Sequence, residues 1–269
     1  MPSLFSETGL ARFNEIVKPG LLCAFDFDGT LAPIVKQPEN AQLSVALMQR
    51  LQVLSVYAPV AIITGRSLDD IRGRVGFETD FMIGNHGIEG LPGWEARAEN
   101  YRQLCRIWHE NLADGIAAGA AADLGLQIEN KTYSLSVHYR LARDVSQAEL
   151  FLRQLFERLV PIPRIVAGKY VFNLVPQDAD DKGSALEQLM QISGARSVIY
   201  VGDDVTDEDV FKLQRDDLLS VRVGRANVSA AQFHLQRRHD MANLIDEMIR
   251  RLRGTDARNW VQLESTIGN

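Results

Sequence analysis

The sequence has few of the features that mark secreted, membrane-spanning or nucleic-acid-binding proteins. It contains only two cysteines, Cys23 and Cys105, so it predicts no disulfide framework and no cysteine metal site, and it favours a reducing, cytoplasmic setting. No apolar run approaches the roughly 18 residues of a membrane span. Lysine and arginine number 29 against 35 aspartate and glutamate residues, so we expect no basic surface that would attract nucleic acid or an anionic membrane.

The overall composition is that of an ordinary globular protein, with 46% hydrophobic and 24% charged residues. The 269 residues suffice for one large domain or for two domains of about 100 to 150 residues. Charged residues interrupt the first 20 positions, which predict a short amphipathic helix rather than a signal peptide. The sequence does not indicate an oligomeric state.

Short apolar runs alternate with segments of helical periodicity, which indicates a parallel α/β sheet. Buried strands are predicted at residues 21–25, 60–63, 81–84, 197–201 and 218–223. Helices are predicted at residues 43–57, 68–75, 182–192 and 230–253. Between about residues 94 and 180 the pattern changes to helix and alternating strand, and residues 133–139 predict a strand with one packed and one solvated face. We therefore predict a doubly wound, Rossmann-like parallel core of residues 1–93 and 177–269, interrupted by an inserted α+β cap domain of residues 94–176.

Two carboxylates stand where the first predicted strand ends. Asp26 and Asp28 lie on the same side of an extended chain, because side chains alternate with a period of two. Asp26 could attack a phosphorus atom, and Asp28 could give a proton to the leaving oxygen and later take one from water. The alternative is a surface turn in which the side chains only satisfy backbone donors.

Two further positions suit a bound phosphate. Thr64 follows the second strand, and its hydroxyl could donate to a phosphoryl oxygen. Lys182 begins a predicted helix, where its charge opposes the helix dipole, so an anionic partner such as phosphate or Asp26 is indicated. The alternatives are an ordinary strand-to-helix turn at Thr64 and a solvated surface lysine at position 182.

An acidic segment, residues 202–209, follows the fourth predicted strand of the core. Thr206 as N-cap would place the last three acids, including Asp207, in the first turn of a helix. Asp203 and Asp204 then remain to be explained. Mg²⁺ prefers oxygen ligands, so Asp26, Asp203 and the carbonyl of Asp28 would make a reasonable shell. Calcium binding without catalysis is the alternative, although the acids do not follow a 12-residue EF-hand pattern.

These four patches, in this order, resemble the motifs of the haloacid dehalogenase superfamily of phosphotransferases. Within that superfamily, the patches between them resemble the trehalose-6-phosphate phosphatases. These patches are Gly65-Arg66, Gly84-Asn85-His86-Gly87 with Glu89, Glu129-x-Lys131, His138-Tyr139-Arg140 and Gly168-Lys169. No single patch is specific to these phosphatases, but the combined order and spacing of the patches are.

The resemblance implies a Mg²⁺-dependent phosphatase that converts trehalose 6-phosphate, a small-molecule sugar phosphate, to trehalose and phosphate through an aspartyl phosphate. The implied catalytic residues are Asp26, Asp28, Thr64 and Lys182. The implied Mg²⁺ site comprises Asp26, Asp28, Asp203 and, through water, Asp207. The implied substrate-binding residues are Gly65, Arg66, Asn85, His86, Glu129, Lys131, Arg140, Lys169 and Asn173.

One departure from the family pattern concerns the sugar. Asn173 stands where the family carries a glutamate, and a neutral amide accepts hydrogen bonds more weakly than a carboxylate. A phosphatase of another sugar or disaccharide phosphate is therefore the first alternative, and a non-catalytic sugar-phosphate sensor is the second. Glu129 and Lys131 could also be an exposed pair on one face of a strand, which contributes little.

Overall fold

The computed structural model of the chain describes residues 1–35, 37–118, 124–168 and 170–267. The chain divides into two compact units, a first unit of residues 1–87 with 181–269 and a second unit of residues 88–180. The assignment of residues 94–176 as a cap stays a prediction. None of the described helices combines the length and the apolar character needed to cross a membrane.

The first unit contains a six-stranded sheet in which all neighbouring strands are parallel, with the order β10-β9-β8-β1-β2-β3. The strands are β1 Leu21–Phe25, β2 Val60–Ile63, β3 Phe81–Ile83, β8 Ser197–Gly202, β9 Leu218–Val223 and β10 Phe233–Leu235. The central strands are buried along their whole length, as expected of parallel strands covered on both faces. The predicted parallel α/β core is confirmed.

Helices precede, connect and follow these strands. They are α1 Glu7–Ile16, α2 Val45–Ser55, α3 Leu68–Val75, α6 Lys182–Ser193, α7 Glu208–Phe211 and α8 Asp240–Ile267. Their ends follow local sequence signals, because Ser67 accepts a hydrogen bond from the amide of Asp70 at the start of α3. A capping box of Asp181 and Ser184 starts α6, and Gly194 in the left-handed conformation ends it. The capping box fixes the first residue of α6, which is Lys182.

The hydrophobic core of the first unit covers one face of the sheet. Leu21, Cys23 and Phe25 of β1 belong to one buried cluster with apolar residues of α1, α2, α3 and α8. Helix α6 packs against β1 and β2 as well. Each fully buried leucine or phenylalanine contributes about 1.5 to 3 kcal/mol through removal of its surface from water. This core holds the carboxyl ends of β1, β2 and β8 in fixed positions.

The C-terminal region differs from the predicted helix at residues 230–253. Phe233–Leu235 forms β10, which pairs in parallel with β9, and helix α8 begins only at Asp240. The edge of β10 is not left open, because the amide of Leu4 donates to the carbonyl of His234 and the amide of His234 donates to the carbonyl of Pro2. The three-residue strand depends on this distant partner, and it is too short for periodicity to reveal.

The second unit is built from a four-stranded antiparallel sheet with the order β4-β5-β7-β6, together with two helices. Its elements are α4 Glu95–Ala118, β4 Gln127–Asn130, β5 Leu135–His138, α5 Val145–Phe156, β6 Arg164–Gly168 and β7 Val171–Val175. Its core contains Trp108, Leu152 and Phe172.

The prediction of a solvated face on residues 133–139 is wrong. Ser134 and Ser136 are buried, as are Leu135 and Val137. Strand β5 is an inner strand between β4 and β7, and the hydroxyl of Ser136 donates to Oδ1 of Asn173 on β7 at 2.6 Å. A serine can thus be polar in sequence and still be buried, because its hydroxyl finds a partner within the sheet.

Candidate active site

Three adjacent parallel strands end at the same edge of the six-stranded sheet. Phe25 on β1 pairs with Ile62 on β2 and with Val201 on β8, so the strands are in register up to their carboxyl ends. In open α/β sheets this edge is where ligands bind. The residues that come directly after the three strands are Asp26, Thr64 and Asp203.

A buried cluster of charged side chains lies at this edge. Carboxylate oxygens of Asp26, Asp203 and Asp207 lie within 4.8 Å of one another. The Lys182 ammonium donates to Oδ1 of Asp26 and to Oδ1 of Asp207, both at 2.7 Å. Lys182 is only 1% exposed, which excludes the alternative of a solvated surface lysine. Asp26, at 4% exposed, is likewise no surface-turn residue.

The four charged groups of this cluster fall into two kinds. Lys182 and Asp207 have pKa values shifted toward their charged forms, whereas Asp26 and Asp203 have raised pKa values. Burial disfavours both charged forms of the pair, yet Asp207 and Asp26 raise the pKa of Lys182, and Lys182 lowers the pKa of Asp207. Burial raises the pKa of Asp26 well above its ordinary value despite Lys182. Burial and the charge of Asp207 raise the pKa of Asp203 to about 7. A further positive charge would favour the ionised forms of Asp26 and Asp203.

Asp207 is engaged on both of its oxygens. Oδ1 accepts from Lys182 and from the hydroxyl of Tyr200 at 2.7 Å, and Oδ2 accepts from the amides of Asp203 at 2.7 Å and Asp204 at 2.8 Å. The predicted Thr206 N-cap is not found, because a short 3₁₀ turn at Val205–Asp207 is capped by Asp204. This turn directs the Asp207 carboxylate back into the protein instead of leaving it in an exposed first turn.

Glycines provide the space for the acidic side chains. Gly29 has a φ of +88°, and a Cβ atom there would lie 2.1 Å from Oδ2 of Asp203. A Cβ atom on Gly202 would lie 2.2 Å from Cγ of Asp207. On the opposite oxygen, Asp203 accepts a hydrogen bond from the hydroxyl of Thr30 at 3.0 Å. The loop after β1 therefore fits against Asp203 only without a side chain at Gly29, and Asp207 fits against the end of β8 only without one at Gly202.

Asp28 forms a bidentate ion pair with Arg66. The guanidinium Nε and Nη2 of Arg66 donate to the two oxygens of Asp28 at 2.6 and 2.8 Å. Nη1 of Arg66 donates to Asp70 at 2.5 Å, and Asp70 also accepts from Nε of Arg74 at 2.9 Å. Bidentate arginine–carboxylate pairs fix orientation as well as adding energy. Arg66 thus contacts the proposed proton-transfer residue directly.

The segments after β2 and β3 are tied together by backbone hydrogen bonds. The amide of Asn85 donates to the carbonyl of Arg66 at 2.7 Å, and the amide of His86 donates to the carbonyl of Thr64 at 2.9 Å. Asn85 and His86 have φ values of 47° and 62°, which are uncommon outside glycine. A Cβ atom on Gly65 would lie 2.4 Å from Cε1 of His86. Four predicted substrate-binding residues therefore form one local structure in the first unit.

The other predicted substrate-binding residues belong to the second unit. Oε2 of Glu129 lies 2.9 Å from Nε2 of His138 and 4.0 Å from Nζ of Lys131. Arg140 is exposed in the turn after β5. The amide of Asn173 is engaged within the sheet, since Oδ1 accepts from Ser136 and Nδ2 donates to the carbonyl of Val166 at 3.4 Å. Lys169 lies outside the described residues.

Several residues of the site were not found from the sequence. Tyr200 appeared as one more member of an apolar strand, although its hydroxyl binds Asp207. Arg222 lies within β9, and its guanidinium contacts the loop that carries Asp203. The available signal was a polar group inside an otherwise apolar strand, because such a group needs a partner when it is buried.

The donor set fits a divalent cation that prefers oxygen ligands. The cluster combines three carboxylates with one ammonium group, so one ammonium cannot balance all three carboxylates in their ionised forms, and the pKa values of Asp26 and Asp203 are raised. Among the described residues, Oδ1 of Asp26 accepts from Lys182 and Oδ1 of Asp203 accepts from Thr30, while no donor contacts the second oxygen of either. Mg²⁺ binds through one or two carboxylates together with waters and phosphate oxygens.

The fold and the site define a protein of the haloacid dehalogenase class. The features that define it are the six parallel strands, the Asp-x-Asp after β1, the lysine that starts α6 and the Gly-Asp-Asp at the end of β8. The sequence profile of the trehalose-phosphatase family matches residues 24–246. The chain belongs to the trehalose-phosphatase family, as the sequence predicted.

Two mycobacterial proteins are similar to this chain in sequence. The chain is 31% identical over 272 residues to the trehalose-phosphate phosphatase of Mycobacterium tuberculosis, covering 94% of this chain and 67% of that protein. It is 35% identical over 204 residues to a protein of the same organism named as an uncharacterized glycosyl hydrolase, covering 71% of this chain. That match spans only 15% of the length of the mycobacterial glycosyl hydrolase.

A solved structure has the same fold. The C-terminal domain of the trehalose-6-phosphate phosphatase from C. albicans superposes with a TM-score of 0.71 at 24% identity. The superposition covers 92% of this chain and 98% of that domain.

Proposed function

We propose that the protein is a Mg²⁺-dependent phosphatase that hydrolyses trehalose 6-phosphate to trehalose and phosphate. The observation that carries the proposal is the buried carboxylate of Asp26, which is held by Lys182 within the acidic cluster at the carboxyl edge of the sheet. The match of the chain to the trehalose-phosphatase family supports the choice of substrate. Transfer of a phosphoryl group requires positioning and neutralisation of its charge, and this cluster is suited to both.

In the first half of the reaction, an oxygen of Asp26 attacks the phosphorus atom. The bond from phosphorus to the sugar oxygen breaks, and Asp28 gives a proton to that oxygen as trehalose leaves. Asp26 then carries the phosphoryl group as an aspartyl phosphate. The ion pair with Arg66 orients Asp28.

In the second half, water attacks the phosphorus atom of the aspartyl phosphate. Asp28 takes a proton from the water, the bond from phosphorus to Asp26 breaks, and inorganic phosphate is released. Lys182 and the hydroxyl of Thr64 bind phosphoryl oxygens during both halves. Thr64 suits this role because its oxygen accepts from the amide of Arg66 at 3.2 Å, while its own hydrogen is available for donation.

The residues that would hold Mg²⁺ are the carboxylates of Asp26 and Asp203 and the carbonyl of Asp28. Asp207 would act on the metal through water, and its own hydrogen bonds hold the backbone of Asp203. Bound there, the cation would neutralise charge on the phosphoryl oxygens and favour the ionised form of Asp26. The close approach of three acids around a single ammonium group supports this assignment.

For recognition of the sugar we propose the second-unit residues Glu129, Lys131, Arg140, Lys169 and Asn173, with residues 94–176 as the sugar-recognition domain. Gly65, Arg66, Asn85 and His86 complete the proposed set in the first unit. Asn173 would have to exchange its bond to Ser136 in order to bind a hydroxyl. We also propose a reducing, cytoplasmic setting, because Cys23 and Cys105 are both buried free thiols.

A panel of sugar phosphates tests the substrate. With Mg²⁺ present, we expect phosphate release from trehalose 6-phosphate with a kcat/KM at least about tenfold above that for sucrose 6-phosphate or glucose 6-phosphate, since lost hydroxyl contacts cost that much or more. Phosphate release is measured for each compound at equal enzyme concentration. Faster turnover of another disaccharide phosphate than of trehalose 6-phosphate would change the proposed substrate but not the proposed reaction. Binding of every compound without turnover would favour a sensor.

Removal of the metal tests the proposed Mg²⁺ requirement. We expect chelation with EDTA to lower hydrolysis to background, because the charge of the phosphoryl group is then opposed only by Lys182 and hydrogen bonds. Addition of Mg²⁺ in excess of the chelator should restore the original rate. Full hydrolysis in excess chelator would contradict the metal requirement. A circular dichroism spectrum in EDTA serves as the control that the protein stays folded.

A further inference from the structure

The backbone of the acidic loop, residues 202–209, is held by an arginine from the neighbouring strand. Arg222 on β9 pairs in register with Gly202, the last residue of β8, and its side chain is 13% exposed. Nη1 of Arg222 donates to the carbonyl of Asp204 at 3.1 Å, and Nη2 donates to the carbonyl of Asp203. The guanidinium thus binds the two peptide groups directly after the strand.

The same two residues are bound from their amide side by Asp207. The amides of Asp203 and Asp204 donate to Oδ2 of Asp207, while their carbonyls accept from Arg222. With amides and carbonyls both bound, the backbone at position 203 has little freedom to rotate. The direction in which the Asp203 carboxylate leaves the backbone is fixed as a consequence, and Thr30 then contacts that carboxylate.

Arg222 is itself oriented by an acid of the same segment. Nη1 of Arg222 lies 3.3 Å from Oε1 of Glu208, and Oε2 of Glu208 accepts from the amide of Ala230 at 2.8 Å. A planar guanidinium with five donors can bind two carbonyls and a carboxylate together, whereas a lysine ammonium offers a single point of charge. The contacts therefore require arginine rather than any cation.

We infer that Arg222 is a positioning residue for the divalent cation: by holding the carbonyls of Asp203 and Asp204, it fixes the Asp203 carboxylate as a metal ligand. The inference rests on the proposed function for the identity of the ion and extends it to a residue outside the proposed metal-ligand and substrate-binding sets. Partners that orient metal ligands change metal affinity or activity by about 10- to 100-fold when they are replaced.

The test measures Mg²⁺ binding without any substrate. Isothermal titration calorimetry with MgCl₂ is carried out on the wild type and on the variants R222Q and R222K. We expect the Kd for Mg²⁺ to rise about 10- to 100-fold in R222Q and to rise in R222K as well. At saturating Mg²⁺ the KM for trehalose 6-phosphate should remain near the wild-type value. The matched control is R215Q, because Arg215 forms ion pairs with Asp217 and Glu187 but does not contact the acidic loop.

An unchanged Kd for Mg²⁺ in folded R222Q would overturn the inference, even if the variant is less stable. If R222Q does not fold, the Kd of R222K decides in the same way. A wild type that binds Mg²⁺ but hydrolyses no sugar phosphate would refute the proposed function alone, and the comparison of Kd values would still judge the role of Arg222. A wild type that binds no Mg²⁺ would refute both.

Discussion

The variant D26N is expected to lose at least about 10⁴-fold in kcat while it keeps its fold, because the nucleophilic oxygen is replaced by an amide that cannot form the aspartyl phosphate. The folded state should tolerate the change. Burial raises the pKa of Asp26, so the charged carboxylate is unfavourable where it lies, and a neutral amide of the same shape removes that cost. Lys182 keeps its second partner, Asp207.

Three measurements check this expectation: phosphate release from trehalose 6-phosphate, the thermal unfolding midpoint, and protein-bound phosphate after acid quenching. The wild type should yield a base-labile phosphoprotein, and D26N should yield none. The matched control is D69N, which makes the same chemical change on an exposed residue of α3 and should leave kcat unchanged. Turnover of D26N near the wild-type rate would exclude Asp26 as nucleophile.

The edge of the sheet where the candidate site lies follows from sequence periodicity. Apolar runs at β1, β2 and β8 predict parallel strands, and strands in register bring the residues after them, Asp26, Thr64 and Asp203, to one edge. The helical pattern of residues 182–192 likewise predicts where α6 begins, and therefore where Lys182 lies, and the capping box of Asp181 and Ser184 is found there. Local rules suffice for these positions because each depends on neighbours within a few residues.

The partners of these residues could not be predicted in the same way. Tyr200 and Arg222 reach the acidic loop from strands whose order in the sheet, β9-β8-β1, is not readable from spacing alone. The predicted Thr206 N-cap placed Asp207 in the first turn of a helix, but a 3₁₀ turn forms at Val205–Asp207 and the Asp207 carboxylate is buried. Contacts of this kind depend on side-chain direction, which is set by the packed fold and not by the local pattern.

The second expected result with a large effect concerns the ion pair that balances the cluster. Replacing Lys182 by Met keeps most of the side-chain volume but removes the ammonium, so Asp26 and Asp207 remain buried without their cation. Removing one partner of a buried ion pair costs about 3 to 5 kcal/mol in the free energy of unfolding. We expect a loss of this size for K182M, together with a fall in kcat of at least about 100-fold, since Lys182 also opposes charge on the phosphoryl group.

Urea unfolding in EDTA at pH 7.5 measures the free energy of unfolding of K182M, and Y200F is the matched control. Tyr200 donates to the same Oδ1 of Asp207, but its loss removes one hydrogen bond and no charge, so a loss of about 1 to 3 kcal/mol in the free energy of unfolding is expected.

The two variants should also differ in their response to pH. Without Lys182, burial, which is the largest influence on the pKa of Asp207, is opposed by the hydrogen bonds from Tyr200 and from two amides, and we expect the folded-state pKa to rise above the unfolded value. The stability that K182M retains at acid pH is then lost as pH rises through that raised pKa, so its deficit against the wild type should shrink on acidification. An equal deficit at pH 5 and pH 7.5 would show that Lys182 stabilises the protein by packing and not by charge.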